Sequence, residues 1–239
     1  MRIVISQPMY LPWIGLFNQL KHAQVFVHLD DVNIPQGRSF ITRVQLKGKN
    51  SLHWLTVPVV RSSRNKICDV LIDDSKNWRE SHFNKIICSL NSSDYFAEML
   101  SLVKSIIFFK TSKLSELNIY GIEKIAKYLG LECKFILASQ LNINKKSSEK
   151  ILSILKLLRG DCYITGHGAR HYLDYVLLEK EKISVKYIDY KILAYKQNFG
   201  SFLEYVSIID AISHRGKNVN NHMLSNLVDW RDFLNERRH

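Results

Sequence analysis

The chain has 239 residues, 46% of them hydrophobic and 23% charged, a composition that allows a sizeable core and argues against disorder. Its apolar runs are too short to span a bilayer, and its first residues lack the apolar stretch of a signal peptide. We therefore expect a cytoplasmic protein with no membrane span. Four widely spaced cysteines without a Cys-x-x-Cys pair favour free thiols in a reducing compartment over a zinc site.

The positive charge is concentrated in one segment. Lys and Arg total 34 against 22 Asp and Glu, a net charge of +12. No acidic residue lies between Asp31 and Asp69, and we call this stretch the basic segment. Its cations are Arg38, Arg43, Lys47, Lys49, Arg61, Arg64 and Lys66. A segment of one sign favours an anionic ligand, with a solvated basic face as the alternative. Charge alone fits nucleic acid as well as a phosphorylated small molecule.

The first predicted elements alternate between strand and helix, and a hairpin follows. Short β-branched apolar runs predict strands over residues 2–6 and 25–30. Apolar residues at helical spacing predict a helix over residues 14–23 between them. Residues 40–46 and 53–60 flank a Lys-Gly-Lys-Asn turn and are predicted to form a hairpin that carries the basic segment.

The rest of the chain is predicted to be helical at first and then alternating. Residues 78–130 are mainly helical, and the clearest helix ends at Gly130. From there the predicted elements are a strand at 132–138, a helix at 147–159, a strand at 161–165, a helix at 169–180, a strand at 184–188 and closing helices at 207–214 and 222–237. Such alternation indicates parallel β-α-β units.

We therefore predict a single α/β domain over residues 1–239. It is a mostly parallel open sheet with helices on both faces. Two insertions interrupt it, a basic β-hairpin at about 36–66 and a helical segment at about 78–130.

Ligands of open parallel sheets bind beyond the carboxyl ends of the strands, and residues 7–15 follow the first predicted strand. Two prolines stiffen this loop, and Gly15 permits close approach of a ligand or a neighbouring backbone. Gln7, Tyr10 and Trp13 offer an amide, a phenol and an indole that suit recognition of a sugar or a base. The alternative is a rigid turn whose aromatic rings fill the core.

Two further segments follow predicted strands. Asp30 and Asp31 could bind a metal, orient hydroxyls or act as a base, but neighbouring strand residues face opposite ways. We expect at most one of them in the site, with the other capping the following turn. Gly166, His167 and Gly168 precede a predicted helix, where exposed amides suit a phosphate or carboxylate and the imidazole an acid or base. A tight structural turn is the alternative. The histidines follow no metal-ligand spacing, so no metal is predicted.

The chain resembles the WbqC-like family over nearly its whole length. The matching pieces are residues 7–15, 29–33, 54–59, 117–119, 128–130 and 166–174, then Tyr195, Gln197 and Phe202, and finally residues 207–210. Within the last piece, Ser207 and Asp210 have the spacing of a capping box, so we predict a structural role for Asp210.

The resemblance implies a transferase of surface polysaccharide (O-antigen) biosynthesis that adds an acyl or aminoacyl group to a nucleotide-linked amino sugar. The donor would be an aminoacyl-tRNA or an acyl carrier. For this reaction His167 or Asp31 would remove a proton from the amine, and backbone amides would stabilise the oxyanion. The predicted substrate-binding residues are Gln7, Tyr10, Trp13, Gly15, Asp30, Arg43, Gly166 and Gly168.

These predictions place a nucleotide-linked sugar between residues 7–15 and residues 166–170, with the basic hairpin adding a positive field. Two other functions are open. A nucleotidyltransferase-like or nucleotide-binding protein fits the strand–loop–helix–strand opening and the basic hairpin. A non-catalytic RNA-binding protein fits the net charge of +12, although the chain has none of the usual RNA-binding motifs.

Overall fold

The computed structural model describes residues 1–37, 39–49, 51–60 and 65–236. In chain order the strands are β1 (Arg2–Ser6), β2 (Val25–His28), β3 (Arg43–Lys47), β4 (Leu52–Thr56), β5 (Val59–Val60), β6 (Leu71–Ile72), β7 (Lys134–Leu137), β8 (Cys162–Thr165), β9 (Ser184–Ile192) and β10 (Met223–Asp229). The α-helices are α1 (Ile14–His22), α2 (Trp78–Leu90), α3 (Phe96–Ile107), α4 (Leu114–Tyr128), α5 (Ser147–Leu157), α6 (Tyr175–Lys180), α7 (Ile208–Arg215) and α8 (Trp230–Glu236).

A six-stranded sheet in the order β10-β9-β8-β1-β2-β7 forms the centre of the fold. Strands β9, β8, β1, β2 and β7 are parallel to one another. The mostly parallel sheet predicted from alternating strands and helices is therefore confirmed, since parallel neighbours need a crossover connection.

The edge strand β10 corrects the prediction of a closing helix over residues 222–237. It pairs antiparallel with β9, and only residues 230–236 of the predicted span are described as α-helical. Leu224, Leu227 and Val228 have helical spacing, which misled the prediction. A strand forms instead because the outer edge of β9 offers a full ladder of backbone hydrogen bonds.

Helices cover both faces of the sheet, as predicted. Successive residues of a strand point to opposite faces, so Val4 packs into one core cluster while Ile3 and Ile5 pack into another. The first cluster also contains residues of α1–α4 and α7, and the second contains residues of α5, α6 and α8.

Both predicted insertions are present, with adjusted boundaries. Strands β3 and β4 form an antiparallel hairpin with Arg43 opposite Thr56. Residues 59–60, expected in the same hairpin, pair with β6 instead, since Pro58 has no N–H to continue the ladder. Helices α2, α3 and α4 account for residues 78–130, and Gly130 follows α4 in the left-handed region at φ 68°. Arg38, Asn50, Arg61, Arg64 and residues 237–239, on which some predictions fall, lie outside the described residues.

The helix predicted over residues 169–180 is divided. A 3-10 helix, His167–His171, is followed by α6, whose first turn is capped by the Asp174 carboxylate accepting from the Leu177 N–H at 3.0 Å. Among the described residues, the glycine-rich turn after β8 therefore leads into a short 3-10 helix rather than the α-helix expected there.

The predicted capping box at α7 is half right. The Ser207 hydroxyl accepts a hydrogen bond from the Ile209 N–H at 3.4 Å, as an N-cap does. The amide of Ser207, however, donates to the Gln45 carbonyl, and the fully buried Asp210 carboxylate accepts from the Tyr195 hydroxyl at 2.8 Å. Asp210 thus stabilises the core between α7 and the loop after β9 rather than the cap.

Candidate functional site

A cavity of about 740 Å³ opens at the carboxyl ends of β1, β2, β8 and β9, and we call it the first cavity. The chain continues from β1 to β2 on one side, and β8 lies on the other side of β1. Open parallel sheets bind ligands at such a reversal of strand order. The aromatic, amide and charged residues lining the cavity are Gln7, Trp13, Gln19, Lys150, His167, Tyr172, Asp189, Tyr190, Glu204 and Tyr205.

The loop after β1 contributes Gln7 and Trp13 to this cavity. The indole of Trp13 packs against the rings of Tyr190 and Tyr205, with centroids 5.0 and 5.3 Å away. A Cβ atom on Gly15 would lie 2.2 Å from the Trp13 indole. Gly15 therefore makes room for the Trp13 ring, and the close approach expected there comes from this ring rather than from a ligand.

Tyr10, from the same loop, lies in the core and outside the first cavity. It is 1% exposed, contacts the Trp78 ring, and its hydroxyl lies 3.0 Å from His82 Nδ1. Burial raises the pKa of Tyr10 and lowers the pKa of His82 to about 4, so this pair is neutral near neutral pH. The core-filling alternative thus describes Tyr10, whereas Trp13 lines the cavity.

The turn after β8 brings Gly166, His167 and Gly168 to the cavity wall. His167 Nε2 lies 2.9 Å from the Ile188 carbonyl oxygen, so this nitrogen carries the proton of the neutral ring and the lone pair is on Nδ1. A Cβ on Gly166 would meet the Tyr190 hydroxyl at 3.0 Å, whereas a Cβ on Gly168 would meet nothing within 4 Å. A side chain at Gly166 would have to displace the ends of Gln19 and Tyr190, whereas Gly168 borders open space.

Asp30 and Asp31 have different partners, and neither lines the first cavity. The Asp30 carboxylate is 3% exposed and accepts from the amide and hydroxyl of Ser139, at 2.9 and 2.7 Å. It caps the 3-10 helix Ala138–Leu141 after β7, not the turn that follows Asp30 itself. The Asp31 carboxylate pairs with Lys150 Nζ at 2.6 Å.

Asp31 lines a second cavity, also of about 740 Å³, that adjoins the first. Val32, Ser147 and Lys150 line both spaces. The second cavity lies between the segment after β2 and the segment leading from β7 into α5.

Among the described residues, no cation of the basic segment lines the first cavity, where the hairpin was expected to add positive charge. The Arg43 guanidinium lies 3.7 Å from the centre of the Trp54 ring, and Lys47 is only 5% exposed. The Lys47 ammonium donates to Gln197 Oε1 at 3.2 Å and to main-chain carbonyls of the loop before α7. Neither cation lines either cavity, and of the basic segment's described cations Lys66 alone does so, in the second.

Several lining residues escaped the sequence reasoning. Asp189 and Tyr190 lie in the carboxyl-terminal half of β9, which was predicted to end at Ile188, so the rule that located the other loops would have found them with a longer strand. The Tyr190 hydroxyl accepts from Gln19 Nε2 at 2.7 Å, and burial raises the pKa of Tyr190 to about 12. Glu204 and Tyr205 reach the cavity from an irregular loop that carries no sequence signal.

In the part of the chain that the structure describes, every helix is too short or too polar to cross a membrane. Those described residues also contain no group of three or more His, Cys, Asp and Glu side chains placed to hold a metal ion.

Comparison with known proteins agrees with the sequence motifs. The profile of the WbqC-like protein family matches residues 7–222, which include every residue lining the two cavities except Ile5 and Ser6. The uncharacterized protein Rv1507c of Mycobacterium tuberculosis (strain ATCC 25618 / H37Rv) is 27% identical over 219 residues, covering 90% of this chain and 94% of that protein. No solved structure matches the chain. The chain belongs to the WbqC-like protein family.

Proposed function

We propose that the protein is a transferase that adds an acyl or aminoacyl group to a nucleotide-linked amino sugar used for surface polysaccharide. The observation that carries the proposal is the first cavity, which combines aromatic rings with amides and carboxylates at the switch point of the sheet. Its volume of about 740 Å³ falls in the range of small-molecule sites.

The aromatic wall suits the apolar face of a sugar ring. Tyr205 is 62% exposed, although its ring packs on Trp13, so part of this aromatic surface is open to a ligand. Gln7, directly after β1, lines the same cavity and offers an amide to the sugar hydroxyls.

The carboxylates suit an amine on that sugar. Asp189 and Glu204 line the cavity, and a protonated amine gains charge-assisted hydrogen bonds from them. The Lys191 ammonium lies 3.5 Å from the Asp189 carboxylate, but both side chains are largely exposed, so this ion pair is weak and yields to a ligand amine.

His167 is the base in this proposal. Its Nε2 proton is held by the Ile188 carbonyl, so the lone pair on Nδ1 accepts the proton of the attacking amine. We assign the base to His167 rather than to Asp31 because the Asp31 carboxylate is paired with Lys150 and lines the second cavity.

In the reaction, the ammonium held by Asp189 and Glu204 first loses one proton to water. The neutral amine then attacks the carbonyl carbon of the donor, and His167 takes a second proton from its nitrogen as the C–N bond forms. The tetrahedral intermediate then collapses, and the bond from that carbon to the donor's sulfur or oxygen breaks. The leaving thiol or hydroxyl departs with the proton that His167 held.

The test is acylation followed by mass spectrometry. Purified protein is incubated with UDP-, dTDP- or GDP-linked amino sugars and either acyl-CoA, acyl carrier protein or aminoacyl-tRNA. We expect one combination to add the acyl mass to the sugar. His167→Ala should lower turnover by roughly 10²–10⁴-fold while sparing sugar binding, the usual contribution of a general base.

His171→Ala is the matched control, since His171 follows in the same 3-10 helix but lines neither cavity. Asp189→Asn should weaken binding of an amino sugar and leave binding of its N-acetylated form unchanged. Equal turnover in wild type and His167→Ala would show that His167 is not the general base. If the protein binds tRNA but no nucleotide-linked amino sugar, the transferase proposal is wrong and RNA binding is the better-supported function.

A further inference from the structure

We propose that the second cavity binds the diphosphate of the nucleotide-linked substrate while its sugar lies in the first cavity. This assignment rests on the proposed function for the identity of the sugar. It moves the phosphate contacts from Arg43 and the β3–β4 hairpin to Lys66 and the segment that leads from β7 into α5.

The second cavity is rich in lysine. Its charged lining residues are Asp31, Lys66, Asp69, Lys145, Lys146 and Lys150. Lys150 is neutralised by the largely buried Asp31 carboxylate at 2.6 Å, whereas the ion pair of Lys145 with Glu149 at 3.6 Å is exposed and weak.

Two other lysines retain their charge for a ligand. Lys66 and Lys146 are exposed and form no ion pair with any residue in the described ranges. A backbone bridge between Asn33 and Lys66 fixes the position of Lys66 at the cavity. Unpaired cations at a concave surface concentrate anions there.

Neutral donors accompany these charges. The side-chain amides of Asn33, Asn142 and Asn144 line the same space and can donate to phosphate oxygens. A neutral sugar would need hydrogen-bonding groups but no cations, whereas a diphosphate uses both.

The arrangement of the two cavities matches the order of groups in a nucleotide sugar. Ser147 and Lys150 line both cavities, so a ligand can pass directly from one to the other. In such a substrate the diphosphate is bonded to the sugar, and the two groups therefore occupy neighbouring spaces. Lys150, which is paired with Asp31, lies where the two cavities meet.

Calorimetry with UDP, dTDP and GDP tests the phosphate subsite without the sugar. We expect the double variant Lys66→Ala/Lys146→Ala to weaken binding of the nucleoside diphosphate it prefers by roughly 10–100-fold, as for the loss of two charge-assisted contacts. The slope of log K against log salt should also become shallower. The control is Lys85→Ala/Lys104→Ala, which removes the same charge from exposed sites on α2 and α3 and should change binding less than about twofold.

A second arm separates this subsite from the proposed function. Methyl glucosaminide carries the amine but no phosphate, so Trp13→Ala should weaken its binding and the lysine double variant should not. Equal nucleoside diphosphate binding in wild type and the lysine double variant overturns the subsite, whatever the glucosaminide does. If nucleoside diphosphate binding depends on the two lysines but no amino sugar binds, the phosphate subsite is supported and the amino sugar is rejected as the group linked to the diphosphate. Lysine-dependent binding of tRNA but of no nucleoside diphosphate also overturns it.

Discussion

Four polar side chains, Lys47, Tyr195, Gln197 and Asp210, form a hydrogen-bonded chain inside the protein. Gln197 accepts from Lys47 at 3.2 Å and donates to the Tyr195 hydroxyl at 3.2 Å, and Tyr195 donates to Asp210 at 2.8 Å. Burial lowers the pKa of Lys47 and raises the pKa of Asp210 from 3.8 to about 6. The family-like pieces at residues 195–197 and 207–210 thus meet in one buried hydrogen-bond network. The spacing of Ser207 and Asp210 in the sequence had predicted a helix cap instead.

Asp210→Asn should change how stability depends on pH. Because the folded state raises the pKa of Asp210, its contribution is fully present below about pH 4 and is lost as pH rises through about 6. Between pH 4 and pH 7.5, the free energy of unfolding of the variant should therefore rise relative to that of the wild type by up to roughly 3 kcal/mol. Urea unfolding at several pH values measures this difference, with Tyr195→Phe as a control that keeps the carboxylate. Parallel pH profiles for wild type and Asp210→Asn would contradict the assignment.

At the scale of elements, the turn from β1 into α1 depends on Gly15. Gly15→Ala places a methyl group 2.2 Å from the indole of Trp13, which must then move. We expect a loss of roughly 1–3 kcal/mol in unfolding free energy, a shifted tryptophan emission and weaker ligand binding.

Gly168→Ala is the matched control for the same substitution, because its Cβ meets no atom within 4 Å. Its unfolding free energy should stay within about 0.5 kcal/mol of wild type. A Gly15→Ala variant that is as stable as Gly168→Ala and has unchanged emission would show that the ring does not rest on this glycine.

Some elements could be predicted from the sequence and others could not. Strands β1, β2, β7, β8 and β9 are largely apolar segments separated by helices, so the local sequence pattern agrees with the pairing in the sheet. β10 needed knowledge of the free edge of β9, which no local pattern contains. The glycine-rich turn after β8 was located correctly, but the helix expected to follow begins only at Tyr175, after the 3-10 helix and the Asp174 cap.

At the scale of the whole molecule, buried tyrosines make the protein sensitive to alkali. Burial raises the pKa of six tyrosines whose side chains are buried or partly buried, namely Tyr10, Tyr128, Tyr163, Tyr187, Tyr190 and Tyr195. Their contribution to stability is present below about pH 10 and is lost above it, since the unfolded chain releases these protons first.

We expect each of these tyrosines to lower the free energy of unfolding by up to about 1.4 kcal/mol per pH unit above pH 10. Absorbance of tyrosinate at 295 nm and circular dichroism should therefore change together in one cooperative step. The chain unfolded in guanidinium provides the reference titration. Gradual ionisation of all the tyrosines near pH 10, with the fold retained, would contradict this expectation.

The location of the first cavity followed from topology, but its charges did not. Gln7 and Gly166 follow the neighbouring strands β1 and β8. Because the carboxyl ends of parallel strands meet at one edge of the sheet, these two residues lie at the same cavity. The basic segment looked like one electrostatic unit because a sequence does not show which way a side chain points. In the structure Lys47 is buried, Arg43 stacks on Trp54, and Lys66 borders the second cavity.

The central position of β1 bears on how the chain is made. Arg2 of β1 pairs with Cys162 of β8, so this strand's second neighbour leaves the ribosome about 160 residues after it. At typical synthesis rates that delay is roughly 8–30 s. During this time one side of the strand is an open hydrogen-bonding edge on a nascent chain, a template for association with other unfinished chains. Yield in a recombinant host should therefore depend on growth temperature and on chaperones that hold the nascent chain until β8 emerges.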